Sequence, residues 1–235
     1  MDLLDRITED PSRTALCFDV DGVLSPIVER PEDATVPDEL RSELRRLHAR
    51  YALVACISGR AGADAHRIVG VPELTYVGNH GLELAPEAGE WTKRLHTFLA
   101  DVRWDGLENK ELSAALHYRN VDDEEAARAE LERVAERARA AGLRTRFGRK
   151  VLEVLPPLDA TKGTALRRLL SDRGLRRALY AGDDTTDLDA FKALDGLELG
   201  VRVAVASPEG PRELQDAADV VLTEQRAVLG LLHRL

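Results

Sequence analysis

The chain has 235 residues, 44% of them hydrophobic and 32% charged, enough for a proper core in one large domain or two smaller ones. A formal net charge of −9 argues against nucleic acid or an anionic membrane as the main partner, because both select clustered excess cation. The apolar runs are too short to span a bilayer, and Met1–Arg6 lacks the basic and apolar regions of a secretory leader, so a cytoplasmic location is expected.

Ala15-Leu16-Cys17-Phe18 reads as a buried parallel strand that ends in Asp19-Val20-Asp21-Gly22. Ser25 to Pro31 follows as a Pro-punctuated loop, and Pro37 stands where a helix can start, with Leu40, Leu44 and Leu47 at helical spacing. Ala52 to Ile57 is a second strand, ending at Ser58-Gly59-Arg60. After another helix, Leu74 to Val77 is a third strand, ending at Gly78-Asn79-His80-Gly81. This alternation predicts an α/β domain with a parallel sheet, whose ligands sit beyond the carboxyl ends of the strands.

From about Trp91 the pattern changes. Trp91, Leu95, Phe98, Leu99 and Val102 suit an amphipathic helix, and Leu112 to Tyr118 reads as a strand. Asp122 can cap a long helix running to about Ala141 and closed by Gly142. Leu143–Phe147 and Lys150–Leu155 flank Gly148-Arg149, a hairpin-like turn. A hairpin breaks the alternation, so residues 104–158 are expected to form an inserted α+β unit between core segments 1–103 and 159–235. Pro156-Pro157 would be its exit hinge. The sheet pattern then resumes: Thr161-Lys162-Gly163 opens a helix, and Arg177 to Ala181 is a strand running into Gly182-Asp183-Asp184-Thr185-Thr186-Asp187. Val201–Val205 and Asp219–Leu222 are further strands, and a short Leu-rich helix follows.

Asp19-x-Asp21, Ser58, Lys162 and Asp183-Asp184-x-x-Asp187 fall at strand ends or helix starts. Carboxylates from two strands suit a hard cation such as Mg²⁺, and nothing nearby supplies the His or Cys typical of zinc. Cys17 and Cys56 lie in apolar runs and read as buried thiols. A lysine at a helix N-terminus adds its charge to the helix dipole, and a serine hydroxyl can bind a phosphoryl oxygen. Together these groups form a site for phosphoryl transfer. Asp19 fits an attacking nucleophile and Asp21 a proton carrier. Taken singly, each element has a plainer reading: a turn, a helix cap, a surface lysine, an acidic loop. Their order along one fold is what joins them.

Phe18-Asp19-Val20-Asp21-Gly22-Val23-Leu24-Ser25-Pro26-Ile27, Ile57-Ser58-Gly59-Arg60 and Gly78-Asn79-His80-Gly81 resemble motifs of the haloacid dehalogenase superfamily and, within it, of trehalose-6-phosphate phosphatases. Glu108-Asn109-Lys110 with His117-Tyr118-Arg119 resembles the cap signature of that family. Val151–Val154 with Pro157 and Lys162-Gly163, and Gly182–Asp187 with Ala190-Phe191, resemble its later motifs. The resemblance implies a Rossmann-like hydrolase core with a smaller α+β cap, and Mg²⁺-dependent hydrolysis of trehalose 6-phosphate. It implies Asp19 as nucleophile, Asp21 as acid and base, and Ser58 and Lys162 on the phosphoryl group. The metal would be held by Asp19, the main-chain carbonyl of Asp21, and Asp183, with Asp184, Asp187 and Gly22 in support. Arg60, His80, Lys110, His117, Arg119 and Glu153 become candidates for sugar or phosphate recognition, with closure expected to bring Lys110 and Glu153 towards the sugar.

Two positions depart from the family pattern. Val23 replaces a usual threonine, and Leu188 a usual glutamate. The implied partner is a small sugar phosphate, with no nucleic acid or membrane, and nothing calls for more than a monomer. Sucrose 6-phosphate or a glycosyl phosphoglycerate is the competing substrate class. A non-catalytic regulatory domain is disfavoured because every acid is present, and a receiver-type signalling domain because of the insert and Asp21.

Overall fold

A computed structural model describes residues 2–28, 30–119, 121–148, 150–207 and 210–235. Its strands are β1 (Thr14–Phe18), β2 (Leu53–Ile57), β3 (Thr75–Val77), β4 (Leu107–Asn109) and β5 (Ala114–His117). They continue with β6 (Arg144–Gly148), β7 (Val151–Leu155), β8 (Arg177–Gly182), β9 (Leu199–Val205) and β10 (Val220–Leu222). By its contacts the chain divides into two units, Met1–Gly81 with Ala160–Leu235, and Leu82–Asp159.

The first unit carries a six-stranded sheet in the order β10-β9-β8-β1-β2-β3, every pair parallel. Every residue of β1, β2 and β8 is buried, as strands covered on both faces must be. Helix Asp38–His48 buries Leu40, Leu44 and Leu47, and helix Lys162–Asp172 buries Ala165, Leu166, Leu169 and Leu170, both at helical spacing. Leu16, Phe18, Val54, Cys56, Leu179 and Val201 belong to the core on one face of the sheet. The strand order places β1 beside β8, where the direction of winding reverses. Crevices in such sheets open at that point.

The second unit has a four-stranded antiparallel sheet, β4-β5-β7-β6. Its core joins Leu116, Leu152 and Val154 to Leu131 and Ala135 of helix Glu124–Ala140. The α/β core with a separate α+β unit is the architecture expected from the sequence. The second unit, however, starts at Leu82, well before the expected residue 104. The reason is helix Ala88–Leu99, whose apolar face sends Leu95 and Leu99 into the core of the second unit.

Smaller differences are also local in origin. Asp123, not Asp122, caps the long helix, accepting the Ala126 N–H at 2.9 Å. The strand expected from Leu112 begins at Ala114, because Lys110 and Ser113 close a turn (N–H to carbonyl, 2.8 Å) with Glu111 at φ +65°. In the expected hairpin, Gly148 pairs with Val151, while Arg149 lies outside the described residues.

Candidate active site

Asp19 directly follows β1, and its N–H donates to the Ala181 carbonyl of β8 at 2.9 Å. That bond extends the strand ladder by one residue and fixes where the side chain emerges. One carboxylate oxygen, Oδ1, accepts the Val20 N–H at 2.7 Å, and Oδ2 receives Lys162 Nζ at 2.5 Å. Lys162 is the first residue of its helix. Thr161 and Thr164 cap the start reciprocally, side chain to backbone, which sets the direction of the first turn. The lysine is 2% exposed and spans two carboxylates, Asp19 and Asp187, the latter at 2.8 Å. Burial by itself would lower the ammonium, but the two acids overturn that and hold it above its ordinary value.

Asp187 is fully buried and accepts four hydrogen bonds. Lys162 and the Tyr180 hydroxyl (2.7 Å) reach Oδ1, and the N–H groups of Asp183 and Asp184 (both 2.9 Å) reach Oδ2. With its oxygens engaged in this way, Asp187 holds the lysine and the loop after β8. Asp183, in that loop, is turned towards Asp19. Gly22 lies against it at φ +74°, and a Cβ there would overlap the Asp183 carboxylate, so the turn after Asp21 accepts only glycine.

Asp19, Asp183 and Asp187 each offer an oxygen, all within 4.8 Å of one another. Burial pushes Asp183 up to about 8, with the Asp19 and Asp187 charges adding to it. Burial likewise lifts Asp19 to about 7, against the pull of Lys162. Fully ionised, three carboxylates around one ammonium would leave two negative charges unbalanced in a dry place, which is what favours the protonated forms. An all-oxygen donor set with that deficit fits a hard divalent cation.

Asp21 has a separate partner. Arg60 grips it with two hydrogen bonds, Nε to Oδ2 at 2.7 Å and Nη2 to Oδ1 at 2.9 Å. Arg60 thus sits on the expected proton carrier. It lines the same cavity as Asp19, Asp21, His80, Lys162, Asp183 and Asp184, about 420 Å³ in volume. Ser58, fully buried at the end of β2, accepts the Arg60 N–H at 3.2 Å through its hydroxyl. His80 and Asn79 hold left-handed backbone angles, φ +53° and +52°, which non-glycine residues adopt rarely, Asn and His more readily than most. A Cβ on Gly59 would come within 2.7 Å of the His80 ring, so glycine admits the imidazole against the chain. The Asp184 carboxylate turns to its own loop, accepting the N–H (2.7 Å) and hydroxyl (3.0 Å) of Thr185.

The remaining candidates belong to the second unit. Glu108, Ala115, Glu153 and Arg146 are register neighbours across its sheet, and His117 shares their face two residues along from Ala115. On that polar face Glu108 takes His117 at 3.1 Å, and Arg146 Nε bonds Glu153 at 2.7 Å. Lys110 stands 3.7 Å from Glu108, and Arg119 is exposed. The opposite face supplies Ala114, Leu116, Leu152 and Val154 to the core.

One residue that holds this cluster is not legible from the sequence: Tyr180 lies inside an apolar strand and reads as core, yet its hydroxyl binds Asp187.

A family model described as trehalose-phosphatase matches residues 17–104 and 93–224, a span that holds Asp19, Asp21, Ser58, Lys162, Asp183 and Asp187. The trehalose-phosphate phosphatase of Mycobacterium avium (strain 104) is 38% identical over 207 residues, covering 77% of this chain and 51% of that protein. A probable trehalose-phosphate phosphatase 2 of Oryza sativa subsp. japonica is 32% identical over 236 residues, covering 83% and 62%. The chain therefore spans between half and two thirds of the length of these relatives. The solved trehalose-6-phosphate phosphatase of Aspergillus fumigatus (crystal form 3) matches at a TM-score of 0.64 and 28% identity, over 98% of this chain and 94% of that one. With matched segments running from β1 to the last strand of the sheet, the chain belongs to the trehalose-phosphatase family.

Proposed function

We propose that this protein hydrolyses trehalose 6-phosphate to trehalose and phosphate through an aspartyl phosphate on Asp19, with Mg²⁺ as its cofactor. The observation that carries the chemistry is the Asp19–Lys162–Asp187 chain with Asp183 beside it, at the crevice between β1 and β8. The substrate class comes from the family. Asp19 and Asp183 would hold the metal, with the Asp21 carbonyl as a third donor. Bound there, it would neutralise charge on the transferring phosphoryl group.

Lys162 uses two of its three N–H donors on Asp19 and Asp187, which leaves one for a phosphoryl oxygen. The same lysine opposes the protonation that burial favours on the attacking carboxyl group, and aims it. An Asp19 oxygen bonds to phosphorus as the bond to the sugar oxygen breaks, and Asp21 gives that oxygen a proton. Asp21 then takes a proton from water as the water oxygen bonds to phosphorus and the Asp19–phosphorus bond breaks. Lys110 and Glu153 recognise the sugar, and the site works in the cytoplasm.

Purified protein should release phosphate from trehalose 6-phosphate in Mg²⁺ and not in excess chelator. Sucrose 6-phosphate and glucosyl phosphoglycerate should be poorer substrates. A Lys110→Ala variant should lose the disaccharide reaction, by about tenfold or more, while retaining 4-nitrophenyl phosphate turnover. Preference for another sugar phosphate would replace the substrate, and no phosphate release from any of them would reject the enzyme.

Metal and proton should compete for the same acids. Asp183 binds a proton more tightly in the fold, at about 8, than an ordinary carboxyl does near 4. Its protonation therefore supports the metal-free fold below about pH 4, and that support is lost as pH rises through 8. A divalent cation takes the place of the proton. The rise in melting temperature on adding Mg²⁺ should therefore be larger at pH 8 than at pH 5. Equal rises at both would contradict a carboxylate site of this kind.

A further inference from the structure

Arg60 is held from two sides. While Nε and Nη2 grip Asp21, Nη1 donates to Asp64 Oδ2 at 2.9 Å and to the Pro31 carbonyl at 3.0 Å. Asp64 is in turn clamped from behind by Arg67, whose Nε (3.0 Å) and Nη2 (2.7 Å) both reach Asp64 Oδ1. The result is an alternating chain, Arg67–Asp64–Arg60–Asp21, running from the helix Gly62–Val69 to the cavity. Asp64 is not among the residues that line that cavity. Arg60 is 14% exposed, and its planar fork fixes the carboxylate it grips in angle as well as in distance.

We propose that Asp64 is a positioning residue, which keeps Arg60 in place and thereby orients the Asp21 carboxyl group for proton transfer. This rests on the phosphatase reading above. Nη1, bonded to Asp64 and to the Pro31 carbonyl, anchors the guanidinium from the side away from Asp21, so that Nε and Nη2 stay aimed at the Asp21 carboxyl group through both steps. No proton passes through Asp64 or Arg60. The proton moves only between Asp21 and the leaving oxygen in the first step, and between water and Asp21 in the second. Arg60, a candidate for substrate recognition by resemblance, is thereby given a role at the acid and base.

A plainer account is that an acid in the first turn of a helix complements the dipole. The two accounts differ in which substrate suffers. A good leaving group departs with little help from an acid, whereas a poor one needs the proton. In Asp64→Asn, kcat/KM should fall about tenfold for phenyl phosphate and stay within about twofold for 4-nitrophenyl phosphate, two substrates of similar shape. Asp64→Ser, which keeps a residue suited to a helix start, should give the same pattern if the first variant proves unstable. Asp172→Asn, which breaks an exposed pair with Arg168, should change neither substrate. Equal losses on both substrates, or no loss on either, overturn the proposal. If the unaltered protein releases phosphate from neither phenyl ester nor any sugar phosphate, the phosphatase reading fails and this one with it.

Discussion

Asp19→Asn is expected to cut phosphate release by a factor on the order of 10⁴ or more while leaving the protein folded. The amide cannot displace an alkoxide from phosphorus, and neither Asp187 nor Asp21 is free to take its place. Asp187 is consumed by four donors, and Asp21 is gripped by Arg60. Folding should survive because Lys162 keeps Asp187, and Asn can still accept the Val20 N–H. The substitution also removes a charge that burial penalises, since the Asp19 carboxyl already stands near 7. Melting temperature at neutral pH without metal should therefore be unchanged or slightly higher. Acid-quenched reactions with labelled substrate should show label on the unaltered protein and none on the variant. Turnover within tenfold of the original would place the nucleophile elsewhere.

Lys162→Met should have the largest effect on stability. The side chain is of similar length, so the change removes the charge and little volume. It strands Asp19 and Asp187, which are 8% and 0% exposed at their side chains, without their shared cation. Breaking a buried pair in this way costs about 3–5 kcal/mol. For a chain of this size that corresponds to a fall in melting temperature on the order of 10 °C. Solvent does little to screen groups so deeply buried. Phosphate release should fall by about 10³-fold as well, since the aim of the nucleophile and a donor to the phosphoryl group are lost together. A melting point within about 2 °C of the original would mean that the Asp19 and Asp187 charges are balanced by something other than Lys162.

What the sequence made legible, and what it hid, follows from the range of each signal. Asp19 and Asp183 could be placed because an apolar strand ends where each begins, and parallel sheets gather such ends on one edge. Lys162 could be placed because helix starts bind anions. The partner of Arg60 could not. Asp21 lies 39 residues away, and their meeting depends on two loop conformations that no periodicity encodes. Tyr180 was hidden for the opposite reason. In the middle of an apolar strand its hydroxyl leaves no trace in the pattern, yet it secures Asp187. The start of the second unit was missed because amphipathicity shows that the helix Ala88–Leu99 has a buried face, not which core receives it. β4, three residues long and never fully buried, gives no signal at all.

The pairing of β1 with β8 brings together strands separated by most of the chain, with the whole second unit looped out between them. The entropy of closing such a loop grows only with the logarithm of its length, so doubling the excursion would add about 0.6 kcal/mol. The sheet is therefore nearly indifferent to what is threaded between β3 and the helix that begins at Lys162. A lineage could lengthen, shrink or exchange that excursion without disturbing the acids gathered at the ends of β1 and β8. The hydrogen bond from Asp19 to Ala181 is the seam at which the two segments of that sheet are sewn together.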